Sequence, residues 1–379
     1  MQDLRSLFFC KGKSSIHLNL EDFFIILAEG AASVFFNSQL MLAYIIQFDF
    51  SALPLIALIV CVFVGIILLA LGGHCLTDGA VRIANIFKIS PLIIGLTVVS
   101  IATSMPELFT CLRAIQESAD LALGSIVGSN IANIGLILGI TAWISPLHSD
   151  LRLIQKELPF LLSLSVLFVV FAFTGQGFGR GEGFCLIFIA GAYLYWVIRY
   201  SLRETEGSYD AVDDPFVKTV SSNSESGMGS ALSVAVFWVL LGGLFLSLGA
   251  DSLVESARTL ALRTGASEVF VGLSVVALGT SLPELAASVS ASLKKNNALC
   301  VGNVIGSNLF NLSLIGGTSA AFYPFQVNPQ FFWLEFPLLI FATLMLYFFL
   351  WKTQAEIGRT RGTILLLFYI FVIVLIGLK

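Results

Sequence analysis

The sequence predicts an all-α polytopic membrane protein, with ten transmembrane helices arranged as two inverted five-helix repeats. Three observations predict it. The 379 residues are 57% hydrophobic and only 12% charged, where a soluble protein carries about a quarter charged residues. Apolar segments approaching the roughly 20 residues needed to cross a bilayer recur along the chain. Two of the segments, with their embedded polar residues, occur twice in the same order.

The segments run in order as follows. The first half holds 54–72, 89–114, 121–144, 158–173 and 183–198, and the second holds 231–249, 269–293, 298–322, 331–350 and 363–378. They divide the chain into an N-terminal extension (1–50), a first five-helix repeat (51–200), a linker (201–229) and a second five-helix repeat (230–379). The extension contains an apolar stretch, 23–46, preceded by Arg5, Lys11 and Lys13. It reads as an extra helix or a signal-like segment. The linker carries Glu204, Glu206, Asp210, Asp213, Asp214 and Glu225 among serines and glycines, the composition of a solvated connection. If it is cytoplasmic, the inner side holds twelve Lys and Arg after residue 50 and the outer side five, in the sense of the positive-inside rule.

The net charge of −4 gives no basic excess for nucleic acid, and the six cysteines form no C-x-x-C pair. Neither a zinc site nor a disulfide framework is expected.

The internal repeat carries the chemistry. Residues 93–110 read IIGLTVVSIATSMPELFT and 270–287 read FVGLSVVALGTSLPELAA, with nine of eighteen positions identical. Residues 124–139 read GSIVGSNIANIGLILG and 302–317 read GNVIGSNLFNLSLIGG, with eight of sixteen identical. The first pair is offset by 177 residues (284 − 107) and the second by 178 (311 − 133). An odd number of helices per half sends the second copy into the membrane from the opposite side. In such inverted repeats the substrate site lies near the midplane where the copies meet.

Each first motif places a proline one residue before a glutamate: Pro106 before Glu107 and Pro283 before Glu284. Proline inside a helix frees the carbonyl four residues back, here Ala102 and Gly279. Thr103 and Glu107 share a helix face, as do Thr280 and Glu284. A charge at the centre of a membrane helix costs roughly 2.5–3.5 kcal/mol on insertion scales. A lone buried glutamate reads as well as a protonated structural group; a repeated pair points to a shared cation site. In the second motif Ser129 and Asn133 share a face, as do Ser307 and Asn311, while Asn130 and Asn308 are expected to point elsewhere. Gly124 and Gly128, like Gly302 and Gly306, are expected to allow close helix packing. Carboxylate, hydroxyl, amide and carbonyl oxygens suit hard cations such as Ca²⁺, Mg²⁺, Mn²⁺ or Na⁺.

These motifs resemble the cation/Ca²⁺ exchanger superfamily, whose two α-repeats carry G-T-S-x-P-E and G-S-N-x-x-[ND]. The resemblance covers nearly all of residues 51–379. It implies an antiporter of Ca²⁺ against Na⁺, with no cofactor, embedded in the inner or plasma membrane of a prokaryote. By motif match it implies ion ligands at Thr103, Ser104, Glu107, Ser129 and Asn133, and at Thr280, Ser281, Glu284, Ser307 and Asn311. The carbonyls of Ser100 and Ala277 would join them. The sequence departs from the pattern at Ala102 (Gly in the family), which should stiffen the backbone, and at Met105. It departs again at Asn311, where K⁺-dependent relatives have Asp, so K⁺ coupling is not expected. His74 stands where the second half has Asp251, and reads as an interfacial residue at a helix end. A proton-coupled Ca²⁺ exchanger is the alternative within transporters. An intramembrane acid/base enzyme and a non-transporting sensor built on the linker are the alternatives outside that class.

Overall fold

The computed structural model describes residues 50, 53–148, 153–175, 177–204, 226–264, 279–352 and 356–377. The extension apart from Phe50, most of the linker and residues 265–278, Ala277 among them, lie outside the described residues. Nine described helices are long and apolar enough to cross a membrane. They are α1 (Leu55–Phe87), α2 (Pro91–Gln116), α3 (Ala119–Ile144), α4 (Gln155–Thr174), α5 (Arg180–Tyr200), α6 (Ala231–Arg263), α8 (Asn297–Phe322), α9 (Gln330–Trp351) and α10 (Arg359–Ile376). The remaining expected span, 269–293, is described from Gly279 onward and contributes α7 (Leu282–Leu293). Ile56, Phe63, Phe188, Phe237 and Leu367 stand exposed on the helix surfaces. Such side chains belong against lipid, and the chain is an integral membrane protein.

Two short antiparallel ladders fix the relation between the halves. β1 (Leu147–His148), after α3, pairs with β4 (Glu356–Ile357), between α9 and α10. β2 (Gly177–Phe178), between α4 and α5, pairs with β3 (Phe325–Gln326), after α8. Because α4 crosses the membrane, β1 and β2 lie on opposite faces. The loop after α3 and its counterpart after α8 are therefore on opposite faces too, so the second half is inverted.

The helix ends repeat as well. Ser118 caps α3 by accepting from the Leu121 amide, and Asn296 caps α8 by accepting from the Leu299 amide. One additional residue enters the turn before α8, which is why the offset grows from 177 to 178. Lys295, at φ 59°, takes it up in a left-handed turn.

Two helices are much longer than the apolar segments that mark them. The segment 54–72 becomes Leu55–Phe87, and 231–249 becomes Ala231–Arg263. Polar residues such as His74, Asp78, Asp251 and Glu255 end the apolar runs without ending the helices. His74 thus sits inside α1 rather than at a helix end. The reason is packing. Gly65, Gly72 and Gly79 recur every seven residues on α1, and Gly242 and Gly249 do so on α6. The helices run antiparallel with these glycines at the contact. A Cβ on Gly72 would lie 2.7 Å from the Leu246 nitrogen, and one on Gly79 2.8 Å from the Ala235 carbonyl oxygen. Backbone-to-backbone approach of this kind supplies dispersion contacts where lipid offers no hydrophobic driving force.

Candidate functional site

α2, α3, α7 and α8 carry every predicted site residue that the structure describes, apart from Thr280 and Ser281 in the turn that leads into α7. Ser90 caps α2, accepting from the Leu92 amide, with Pro91 in the first turn. The helix then passes through a π-turn, Gly95–Val99, and continues unbroken through Pro106. The second copy differs. Thr280 and Ser281 form a turn, and the helix restarts at Leu282 with Pro283 in its first turn. There a proline has no helical hydrogen bond to break. The expectation that Pro283 interrupts a continuous helix is corrected accordingly. Ala102 suits the continuous helix of the first copy, and Gly279, still helical, leaves room for the Val254 side chain.

The serine-asparagine helices also carry π-turns, and both begin at the site. Asn133–Ile137 interrupts α3 and Asn311–Ile315 interrupts α8. Single π-turns cluster at functional positions because they shift backbone hydrogen bonds and re-aim side chains.

Ser100, Thr103, Ser104, Glu107, Ser129, Asn133, Ser281, Glu284, Ser307 and Asn311 are all buried, and Thr280 is half-buried. Contacts cross the boundary between the halves. Ser104 Oγ donates to Glu284 Oε1 at 3.1 Å. Asn311 Nδ2 donates to Ser129 Oγ at 3.1 Å. Thr103 Oγ1 lies 3.3 Å from the Ser100 carbonyl oxygen and 3.5 Å from Ser307 Oγ. Asn133 Nδ2 donates to Asn308 Oδ1 at 3.0 Å. That last bond corrects the expectation that Asn308 points away. Asn130 does turn back, donating to the Ile126 carbonyl of its own helix at 2.7 Å.

Glu107 and Glu284 stand close enough for their charges to act on each other. Ser129 and Asn311 lie beside Glu107, but neither reaches hydrogen-bonding geometry with it: both carboxylate oxygens are buried without a partner. Glu284 Oε2, Asn133 Oδ1, Asn311 Oδ1 and Ser281 Oγ are likewise buried and unpartnered. Most of these are acceptors, and buried acceptors without donors cost of order 1–3 kcal/mol each, more when charged. The arrangement can hold a hard cation between the halves.

Glycine packing is expected in both copies and is observed in one. A Cβ on Gly306 would lie 2.6 Å from Ser100 Oγ and 2.7 Å from the Leu96 carbonyl oxygen. Gly302 meets the Leu92 carbonyl oxygen still more closely. Around Gly124 and Gly128 nothing described lies within 4 Å. The residues related to 92–100 by the repeat are 269–277, outside the described residues.

Two features are not evident from the sequence alone. Asn303 is buried and bonded to both halves, and its signal was only its place in a repeated motif. Glu157 is fully buried and accepts from Tyr193 Oη at 2.8 Å. Its counterpart, 178 residues on, is Glu335, and both begin an E-x-P triplet. The shared offset was the available signal.

The family profile described as "Sodium/calcium exchanger protein" matches residues 57–199 and 234–378, the two halves in turn. The chain is 33% identical over 305 residues to Inner membrane protein YrbG of Escherichia coli K12, covering 80% of this chain and 91% of that protein. It is 31% identical over 337 residues to the sodium/calcium exchanger MaX1 of Methanosarcina acetivorans, covering 82% and 96%. Among solved structures, the sodium-calcium exchanger NCX_Mj superposes with a TM-score of 0.71 at 28% identity, over 85% of this chain and 100% of that one. With an inverted pair of five-helix halves, a glutamate from each meeting in one buried oxygen cluster, and matches spanning both halves, the chain belongs to the sodium/calcium exchanger family.

Proposed function

We infer that this protein is a secondary antiporter exchanging Ca²⁺ for Na⁺ by alternating access, in the inner or plasma membrane of a prokaryote, with no chemical step of its own. The observation that carries the reading is the set of unpartnered buried oxygens at Glu107, Glu284, Asn133 and Asn311, drawn from both halves. Two ionised carboxylates neutralise one divalent ion. Ca²⁺ takes about 6–8 oxygens at roughly 2.3–2.6 Å, and side-chain amides, hydroxyls and loosened carbonyls can complete that number. The ligands in this reading are Thr103, Ser104, Glu107, Ser129 and Asn133 with Thr280, Ser281, Glu284, Ser307 and Asn311. The carbonyls of Ser100 and Ala277 complete the set. Exchange follows because Na⁺ competes for the same oxygens, and an empty site with two bare carboxylates is costly to carry through a low-dielectric interior. The names of MaX1 and NCX_Mj are consistent with this ion pair.

The test is uptake of radiolabelled Ca²⁺ into proteoliposomes with Na⁺, K⁺ or H⁺ gradients imposed singly. An outward Na⁺ gradient should drive uptake and the other two should not. Uptake driven only by the H⁺ gradient would replace Na⁺ as the coupling ion. Binding without flux under every gradient would refute transport.

A further inference from the structure

We propose that the groove between the end of α9 and the start of α10 is a binding site for an anionic phospholipid, whose phosphate is held by Arg361. The groove has a volume of about 440 Å³. It is lined by Phe348 and Phe349 of α9, by Gly358 of the connection, and by Thr360, Arg361 and Ile364 of α10. It lies at the membrane edge, on the face that carries β1 and β4. Two tryptophans mark the level. Trp351 stands exposed at the end of α9, and Trp143 donates through Nε1 to Thr363 Oγ1 at 2.9 Å. Tryptophan collects at the depth of the lipid headgroups.

The polar end of the groove suits an anion. Arg361 is half-buried, and among the described residues no carboxylate pairs with it. Glu356, the nearest acid in the sequence, faces His148 Nε2 at 3.7 Å across the ladder. Thr360, next to Arg361, adds a hydroxyl. Gly358 has no side chain to accept from the first-turn amides of α10, as Ser118 and Asn296 do for α3 and α8. Guanidinium and hydroxyl beside such amides are donors matched to phosphate oxygens.

The other end suits hydrocarbon. Phe341, Leu344 and Phe348 are exposed along one face of α9, and Ile364, Leu367 and Phe371 along one face of α10. The Phe341 and Phe368 rings meet at 5.5 Å between centroids, so the two helices adjoin there. From Phe348 back to Phe341 the helix runs about 10 Å into the membrane. A free phosphate would use the polar end alone, whereas a phospholipid uses both. A basic pocket between membrane helices at headgroup depth selects for negative charge, and an arginine without a carboxylate partner supplies that selection here.

The experiment measures binding of dioleoylphosphatidylglycerol to the full chain in detergent by native mass spectrometry, with dioleoylphosphatidylcholine and inorganic phosphate as separate arms. The unmodified protein should bind phosphatidylglycerol more tightly than phosphatidylcholine, and inorganic phosphate should not displace it. Arg361→Gln should weaken phosphatidylglycerol binding about tenfold, the loss that follows removal of a charge-assisted hydrogen bond. Arg180→Gln, at the start of α5 on the opposite face, should leave it unchanged. Gly358→Asp serves if Arg361→Gln does not fold. The nearest atom to its Cβ position is 4.0 Å away, and a carboxylate there caps α10 itself and repels the phosphate. Thermal stability should then be kept while lipid binding weakens. Equal binding of the two lipids, unchanged affinity in Arg361→Gln or Gly358→Asp, or displacement by inorganic phosphate would each overturn the proposal.

Discussion

The hydroxyl of Ser104 donates to Glu284 Oε1 across the boundary between the two halves, at 3.1 Å. The mirror-related groups make no such bond, since Ser281 Oγ and both Glu107 oxygens have no hydrogen-bond partner. The two carboxylates are inequivalent although their motifs are nearly the same. Ser104→Ala is expected to raise the Ca²⁺ half-saturation constant about tenfold, since a hydrogen bond to a charged group contributes about 1.5–3 kcal/mol. Ser281→Ala should have a smaller effect. Flux titrations on the two variants decide, and equal effects would show that the asymmetry is not functional.

Replacing either glutamate by glutamine keeps size and hydrogen bonding but removes the charge. Glu107→Gln and Glu284→Gln should each yield folded protein and nearly abolish Ca²⁺ flux. Losing a charged ligand costs several kcal/mol, and each 1.4 kcal/mol is about tenfold in affinity. Near-normal flux in the double variant would restore the structural reading of both residues.

Asn311 donates through Nδ2 to Ser129 Oγ at 3.1 Å. An aspartate there would lose that donor and add a charge beside Glu107. Ca²⁺ transport by the unmodified protein should not need K⁺, and Asn311→Asp should change which monovalent ion drives it. Strict K⁺ dependence of the unmodified protein would contradict this.

Close packing predicts contrasting glycine substitutions. Gly306→Ala places a methyl 2.6 Å from Ser100 Oγ and should destabilise by about 1–3 kcal/mol, the usual cost of overpacking. Gly191 has nothing within 4 Å of its Cβ position. Gly191→Ala should be neutral or stabilising by about 0.5–1 kcal/mol, from helix propensity. Thermal unfolding in detergent measures both, and a Gly306→Ala protein of unchanged stability would contradict the contact.

Inversion of the halves is testable by labelling. Cysteines introduced at His148 and Glu356, in β1 and β4, should react from one side, and a cysteine at Gln326, in β3, from the other. Labelling of all three from the same side would exclude the inverted arrangement.

The repeated motifs made both glutamates and the inversion legible, because polar residues are costly in apolar membrane segments and seldom recur at matched positions unless they act together. Helix length was less legible. His74 and Asp78 end the apolar run in α1, but Lys294, just after α7, bonds Asp78 at 2.6 Å and the His74 carbonyl oxygen at 3.0 Å, so these polar groups are accommodated by a partner distant in sequence. The π-turns at Asn133 and Asn311 are rearrangements of backbone hydrogen bonds, for which no residue type is diagnostic. The roles of Asn308 and Asn303 were hidden for a related reason. Their partners, Asn133 and Thr103, lie 175 and 200 residues away, and periodicity on one helix does not show what faces it.

The two short ladders also constrain movement. One joins the loop after α3 to the loop between α9 and α10, and the other joins the loop between α4 and α5 to the loop after α8. α3, α4, α5, α8, α9 and α10 are thereby riveted into a single frame, pinned once on each face of the membrane. Neither rivet includes α1 or α6, whose principal contact is their shared glycine seam. A force applied to that pair from lipid would reach the rest of the protein through α7, where Gly73 packs against the Ala286 backbone and Lys294 pairs with Asp78, rather than through a β-ladder. Among the described residues no strand links the glycine-seamed pair to that frame, and the same holds for α2 and α7.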